Sequence, residues 1–218
     1  MDLYLLDLDR TVFKTDEHFA DFCEVLKEKF GIDPSVLREH EHRLQQNPSP
    51  YSPLDDIRYS DEIDLDPEEV KSLATENLLA KGKDYVYPDA ADFIRKLTQG
   101  GDRVVLVTVG THEYQQHKVT LSSLLQNLPL IVTREAKSKL FAKILQFGEQ
   151  KTVLESESLK IEADRIYFVD DRAGTFDGKL PTDNRFMPIR LVRQDAAYSN
   201  QPTPSGIREI NSFNEINV

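Results

Sequence analysis

Tryptophan is absent from the 218 residues, and sulfur is scarce, with one cysteine and two methionines. The single cysteine, Cys23, cannot close an internal disulfide, and no cysteine metal cluster can be built around it. A reducing cytoplasm is therefore the expected compartment. Basic residues are outnumbered, 27 Lys and Arg against 38 Asp and Glu, giving a formal net charge of −11. That balance argues against broad duplex-DNA binding, which needs a basic face for phosphate contacts. It leaves room for a local basic pocket for a small anion. Long apolar runs are missing as well. The longest are short, such as Val104-Val105-Leu106-Val107, far below the roughly 18 residues that span a bilayer. No basic stretch followed by an apolar segment and a small-residue cleavage site opens the sequence, so no secretory signal is expected. Internal repeats and low-complexity tracts are also lacking.

What remains is the composition of a folded chain. Residues of the AVILMFWYC set make up 39%, and 11 Phe and 8 Tyr supply the bulk that tryptophan does not. The length suits one domain of roughly 100–200 residues, or one core domain carrying a sizeable insertion. Leu3-Tyr4-Leu5-Leu6 is a near-continuous apolar run, as expected of a strand buried on both faces of a parallel sheet. It leads directly into Asp7-Leu8-Asp9-Arg10-Thr11. From residue 14 to about 87 the pattern turns acidic and helical. Phe19, Phe22, Val25, Leu26 and Phe30 fall three and four apart, and Gly31 closes that helix. A second helix is expected over 34–46, broken by the proline-rich stretch 47–53. A third begins at Asp66-Pro67-Glu68-Glu69, which reads as N-cap, first-turn proline and acidic first turn. The acidic run 55–69 reads as a solvated helical surface.

After Pro88 strands alternate with helices. The pattern predicts a helix over 89–97 ended by Gly100-Gly101, a strand over 103–108, a helix over 113–125 and a strand over 128–132. A helix over 138–147, a strand over 165–169 running into Asp170-Asp171, and a last strand over 187–192 follow. Phe213 and Ile216 are expected to fold back onto the body. Such alternation implies an α/β fold, a three-layer Rossmann-like core on a parallel sheet with right-handed crossovers. Ligands bind such sheets at the carboxyl ends of the strands. Three strands end in reactive side chains there: Asp7 with Asp9, Thr108, and Asp170 with Asp171.

Taken singly, an aspartate after a strand is a turn former and a threonine a helix cap. Together they place three or four carboxylates in one crevice. These can remain ionised beside a cation, and an all-oxygen set suits Mg²⁺. A carboxylate–Mg²⁺ cluster in an α/β crevice points to phosphoryl transfer. Thr108 can donate to a phosphoryl oxygen, and Lys137 or Lys139 can offset developing charge. Helical spacing favours Lys137, since Leu140, Phe141 and Ile144 then form the buried stripe behind it. His40 and His42 are two apart on an expected helix and point about 200° apart, so they cannot share an ion. His112 reads as an exposed helix-start residue and Cys23 as buried filler. Arg172 fits either a core salt bridge or a substrate contact.

The segment Asp7-Leu8-Asp9-Arg10-Thr11-Val12-Phe13 resembles the first motif, Asp-x-Asp-x-Thr, of the haloacid dehalogenase-like hydrolase superfamily. Val105-Leu106-Val107-Thr108 followed by Gly110 resembles the second motif, Lys137 the third, and Ile166-Tyr167-Phe168-Val169-Asp170-Asp171 the fourth in its Asp-Asp form. The motif order matches over residues 1–193. One position departs, since many members carry glycine where Arg10 stands. The resemblance implies that Asp7 is a nucleophile forming an aspartyl-phosphate. It implies that Asp9 protonates the leaving oxygen and then activates water, and that Thr108 and Lys137 bind the phosphoryl group. Mg²⁺ would be held by the Asp7 side chain, the Asp9 carbonyl and Asp170, with Asp171 close by. A second aspartate at position 9 separates phosphatase-like members from the dehalogenases. The resemblance also implies a helical cap over residues 14–87 on a core of 1–13 and 88–218. The expected partner is a small phosphate ester rather than nucleic acid or membrane, with the chain a monomer or homodimer. The rival readings are a phosphotransferase such as a phosphomutase, and a phosphate-binding module with weak turnover.

Overall fold

The computed structural model describes residues 1–33, 35, 52–59, 65–194 and 196–217. Six strands form one parallel sheet: β1 (Leu3–Leu6), β2 (Arg103–Val109), β3 (Leu130–Thr133), β7 (Ile166–Asp170), β8 (Phe186–Leu191) and β9 (Arg208–Ile210), in the order β3-β2-β1-β7-β8-β9. The first strand lies at the centre, with Leu5 opposite Val105 on one side and Phe168 on the other. Side chains alternate across the pleat, so the sheet feeds two separate apolar layers. Leu3, Leu5, Val105, Val107, Ile166 and Phe168 pack on one face with Phe141 and Ile144. Tyr4, Leu6, Val104, Leu106 and Val169 pack on the other with Ala90, Ile94 and Leu97. Both faces are covered, which is why these strands read as unbroken apolar runs.

Among the described residues six helices accompany the strands: α1 (Thr15–Phe30), α2 (Pro53–Tyr59), α3 (Pro67–Ala80), α4 (Pro88–Gly100), α5 (His112–Thr120) and α6 (Lys137–Ile144). Their ends follow the expected chemistry. At Gly31, with φ 69°, the Gly31 N–H turns back to the Lys27 carbonyl and the Ile32 N–H to the Leu26 carbonyl, a left-handed cap that glycine adopts without strain. Asp66 accepts from the Glu68 N–H ahead of Pro67. Among the described residues, no helix is long and apolar enough to cross a membrane. The helix expected over 34–46, the break after it, and His40 and His42 lie outside the described residues.

Residues 14–87 leave and re-enter the core side by side. The Lys14 N–H donates to the Tyr85 carbonyl at 2.7 Å and the Tyr87 N–H to the Val12 carbonyl at 3.0 Å, and Phe13 bridges to Val86. Helices α1, α2 and α3 fall between these two crossings.

Two helices are shorter than their patterns predict. The helix expected over 113–125 begins at His112 and stops at Thr120. Leu121 and Ser122 donate to carbonyls three residues back, a tightening that ends it before a 3₁₀ turn at Leu125–Asn127. The helix expected over 138–147 ends at Ile144. Leu145–Phe147 instead forms β4, paired antiparallel with β5 (Thr152–Glu155), which pairs with β6 (Lys160–Ala163). This second sheet and β9 are new relative to the sequence reading. Pro188 sits in β8 just before β9 begins pairing at Ile189, where one side of the strand is still an edge and a missing N–H leaves no gap in the ladder.

The C-terminal segment closes the outer layer. Phe213 is fully buried and stacks on Phe93 at 4.9 Å between ring centroids, and Ile216 is buried beside it. The Asp89 carboxylate accepts from the Phe213 N–H, the Ser212 hydroxyl and, through both its oxygens, Arg193 Nη1. Phe213→Ala should lower stability by about 3–5 kcal/mol, the usual cost of an emptied aromatic site. The check is a lower midpoint in urea unfolding at unchanged slope.

Candidate functional site

The crevice lies where β1, β2 and β7 end. Asp7 follows β1 directly, its N–H still donating to the Val169 carbonyl at 2.9 Å, so the sheet ladder fixes its backbone. Asp170 closes β7, and Asp171 is the next residue. One carboxylate oxygen from each of Asp7, Asp170 and Asp171 lies within 4.8 Å of the others, and all three residues are buried. Lys137, the first residue of α6, reaches in behind them. Its ammonium donates to Asp7 Oδ1 and to Asp170 Oδ2 while the side chain is 4% exposed. Lys139 is exposed, so the competing lysine stays outside the crevice. Asp170 Oδ1 accepts from the Arg172 N–H at 2.8 Å and the Thr175 hydroxyl at 3.1 Å, which fixes its rotamer. Thr108, on β2, is buried with an unpartnered hydroxyl, and Asp171 Oδ2 is likewise buried without a partner.

Three carboxylates and one ammonium leave this cluster two negative charges in excess. Burial pushes Asp7 up to about 7; Lys137 pulls the other way, while Asp170 and Asp9 add repulsion. Burial raises Asp171 well above the ordinary carboxylate range, and Asp7 and Asp170 add to that. Lys137 is raised despite its burial, because Asp170 and Asp7 outweigh the loss of solvent. The directions agree: the site holds its ammonium charged and is short of positive charge. The donor set is oxygen only, with one oxygen left over at Asp171, which is what a hard divalent cation takes.

Asp9 sits apart from this cluster. Its Oδ1 accepts from the Thr15 hydroxyl at 2.7 Å and from the Lys118 ammonium at 2.5 Å, and its Oδ2 from Gln115 Nε2 at 3.0 Å. Burial works against the Asp9 charge, but Lys118, Thr15 and Gln115 together lower it well below the usual carboxylate range. Arg10 adopts φ 60°, the left-handed region where glycine fits without cost and other residues pay about 1–2 kcal/mol. That conformation accounts physically for glycine being usual at this position. The Arg10 guanidinium is turned onto Asp16 and lies 5.6 Å from the Tyr198 ring centroid. Arg172, half-buried, lies 5.3 Å from the centroid of the same ring.

The sequence reading missed several groups here. Gln115 and Lys118 lie three apart on α5, one helix face, and that spacing was the only available signal. His117 is buried, with Nε2 3.3 Å from His18 Nε2 and Nδ1 2.9 Å from the Thr75 hydroxyl. Burial lowers His117 to about 4 and His18 well below its ordinary value, so both rings are neutral. Arg190 is fully buried under the Asp171 turn and donates to the carbonyls of Asp171, Tyr198 and Gln201. His112 is exposed and Cys23 is buried, as expected.

No family model matches the chain, and no curated protein matches it. Solved structures do. A Burkholderia xenovorans protein described as a haloacid dehalogenase-like hydrolase superposes with a TM-score of 0.66 at 17% identity, covering 97% of this chain and 93% of its own. CbbY of Rhodobacter sphaeroides, solved in complex with phosphate, gives 0.58 at 17% identity over 98% and 95%. YfnB of Bacillus subtilis, described as a HAD hydrolase bound to magnesium, gives 0.56 at 15% identity over 98% and 96%. The chain has the fold of the haloacid dehalogenase-like hydrolases.

Because the folded state raises the Asp171 and Asp7 carboxyls, it binds protons that the unfolded chain has released. Their contribution to stability is therefore present at low pH and lost as pH rises above the unfolded carboxylate value. In EDTA, Asp171→Asn should gain in thermal midpoint relative to the unaltered protein between pH 5 and pH 8. An equal difference at both pH values would contradict the charge excess.

Proposed function

We propose that the chain is a phosphoric monoester hydrolase that works through an aspartyl-phosphate on Asp7. The observation that carries this reading is the buried Asp7–Lys137–Asp170 triplet with Asp171 and Thr108 around it. Residues of this kind at the strand ends do not stabilise a fold well. Desolvating several like charges costs more than one ammonium returns, so the arrangement is better explained by chemistry.

The carboxylate of Asp7 attacks phosphorus while the bond to the leaving oxygen breaks. Lys137 and the Thr108 hydroxyl hold phosphoryl oxygens, the lysine exchanging one carboxylate contact for the incoming group. Asp9, ionised at rest by Lys118, Thr15 and Gln115, takes up the proton carried by the phosphate monoanion and passes it to the leaving oxygen, then takes one from the water that cleaves the aspartyl-phosphate. Phosphate departs and Asp7 is regenerated. Asp7, the Asp9 carbonyl, Asp170 and Asp171 form the set that would hold Mg²⁺, and their unpartnered oxygen and excess negative charge fit it. When bound, the ion would supply the positive charge that lets Asp7 approach an anionic phosphoryl group.

Residues 14–87 are read as a helical cap and residues 1–13 with 88–218 as the core. The paired crossings at Phe13 and Val86 support this, since the segment leaves and rejoins the sheet-bearing part of the chain at one place. Such a cap excludes water and favours small phosphate esters over phosphoproteins. The phosphate on CbbY and the magnesium on YfnB belong to those proteins and agree with this reading.

The experiment is phosphate release from a panel of small phosphate esters with Mg²⁺, with EDTA, and in Asp7→Asn. Release should require Mg²⁺ and fall by at least about a thousand-fold in the variant. Full activity in folded Asp7→Asn would remove Asp7 as nucleophile. Ester consumption without matching phosphate release would identify transfer to a second hydroxyl instead.

A further inference from the structure

Lys118 is a buried charge to which the reaction above gives no step of its own. It is 2% exposed, and its ammonium donates to Asp9 Oδ1 and, at 3.3 Å, to Gln115 Oε1, while lying 4.4 Å from the centroid of the Tyr114 ring. Gln115 Nε2 completes the ring of contacts, donating to Asp9 Oδ2 and, at 3.3 Å, to the Val109 carbonyl. Both oxygens of Asp9 are thereby engaged, one side chain away from the end of β2.

A buried ion pair of this kind adds little net stability, since desolvation offsets most of the attraction. What it supplies is orientation. A carboxylate three residues beyond a strand has free rotamers unless something outside its own segment fixes them. Here two of the three fixing groups, Gln115 and Lys118, come from α5 and the third, Thr15, from α1, and α5 is itself clamped. Glu113 accepts from Arg58 on α2 and Lys71 on α3, and His117 contacts His18 on α1 and Thr75 on α3.

We infer that Lys118, together with Gln115, is a positioning residue that aims the Asp9 carboxyl at the leaving oxygen. The inference rests on the reading of Asp9 as the proton-transfer group. It has a consequence that a structural role lacks. An ester with a poor leaving group needs a well-aimed acid, whereas one with a good leaving group departs without it.

The test compares kcat/KM, which reports the steps up to departure of the leaving group, for glycerol 3-phosphate and p-nitrophenyl phosphate. Asp9→Asn, Lys118→Met and Gly110→Ala are measured beside the unaltered protein. Gly110→Ala is the variant that spares every charge, because a Cβ there would lie 2.5 Å from Gln115 Nε2 and displace that amide. Lys118→Met should lower the alkyl ester by roughly 30-fold or more and the aryl ester by less than about 3-fold. Gly110→Ala should show the same split on a smaller scale, and carries the test if Lys118→Met does not fold. Equal losses on both esters, or none, in variants of native unfolding midpoint would overturn the inference. The Asp9→Asn arm separates the two levels. A split in Asp9→Asn without one in Lys118→Met and Gly110→Ala defeats the positioning role alone. No split in Asp9→Asn defeats the acid role of Asp9 and this inference with it.

Discussion

Lys137 places an ammonium group between the carboxylates of Asp7 and Asp170, in a crevice that solvent barely reaches. Each of the three needs the others to remain charged there, because an isolated ion in that setting would neutralise itself. The rest of the molecule supplies the coordinates for this contact. Strand β1 delivers Asp7, β7 delivers Asp170, and α6 starts where its first side chain can reach both. Phe141 and Ile144 anchor that helix in the apolar layer beneath the sheet, so the position of the ammonium follows from hydrophobic packing two turns away. Asp171 stays raised because burial and the two neighbouring carboxylates outweigh Arg10 and Lys137.

How much of this the sequence disclosed depends on whether each residue's environment was local. Leu3–Leu6 and Ile166–Asp170 were readable because interior strands are apolar along their whole length, and the aspartates that end them break that run abruptly. Gly31 and Pro67 announced helix ends through backbone conformation alone. Lys137 was chosen over Lys139 by the apolar stripe behind it, and the crevice contains that one. The short antiparallel strands β4, β5 and β6 escaped notice because Leu145 and Phe147 continue a helical stripe as well as a strand. Their turns also lack the Asn-Gly or Asp-Gly signal of a tight hairpin. Gln115 and Lys118 carry no local sign of burial in the sequence. They are buried because Asp9, over a hundred positions earlier, faces them, and no local pattern carries such a fact. Arg190 was hidden for the same reason: its partners are carbonyls of loops that fold over it.

The helices between residues 14 and 87 and the helix α5 share a polar seam beside the ring contacts of Phe22 with Tyr114 and His117. Glu113, His117 and Thr75 meet across it with Arg58, Lys71 and His18. Hydrogen bonds are directional and break over a few tenths of an ångström, whereas apolar contacts slide. The two neutral imidazoles add a joint with a single shared proton, where one ring donates and the other accepts. A seam of this kind sets one seating of the inserted helices against the core.

The strand that carries Asp7 occupies the middle of the sheet although it comes first in the chain. Its two neighbours begin at Arg103 and Ile166. During synthesis, β1 therefore leaves the ribosome with no partner and waits for about a hundred residues before its first ladder can form. A four-residue apolar strand with both edges open is the kind of segment that pairs with the wrong chain. The helices of residues 14–87, whose backbone hydrogen bonds are local, can form during that interval. Their order of appearance gives the emerging chain local structure well before its central strand is enclosed.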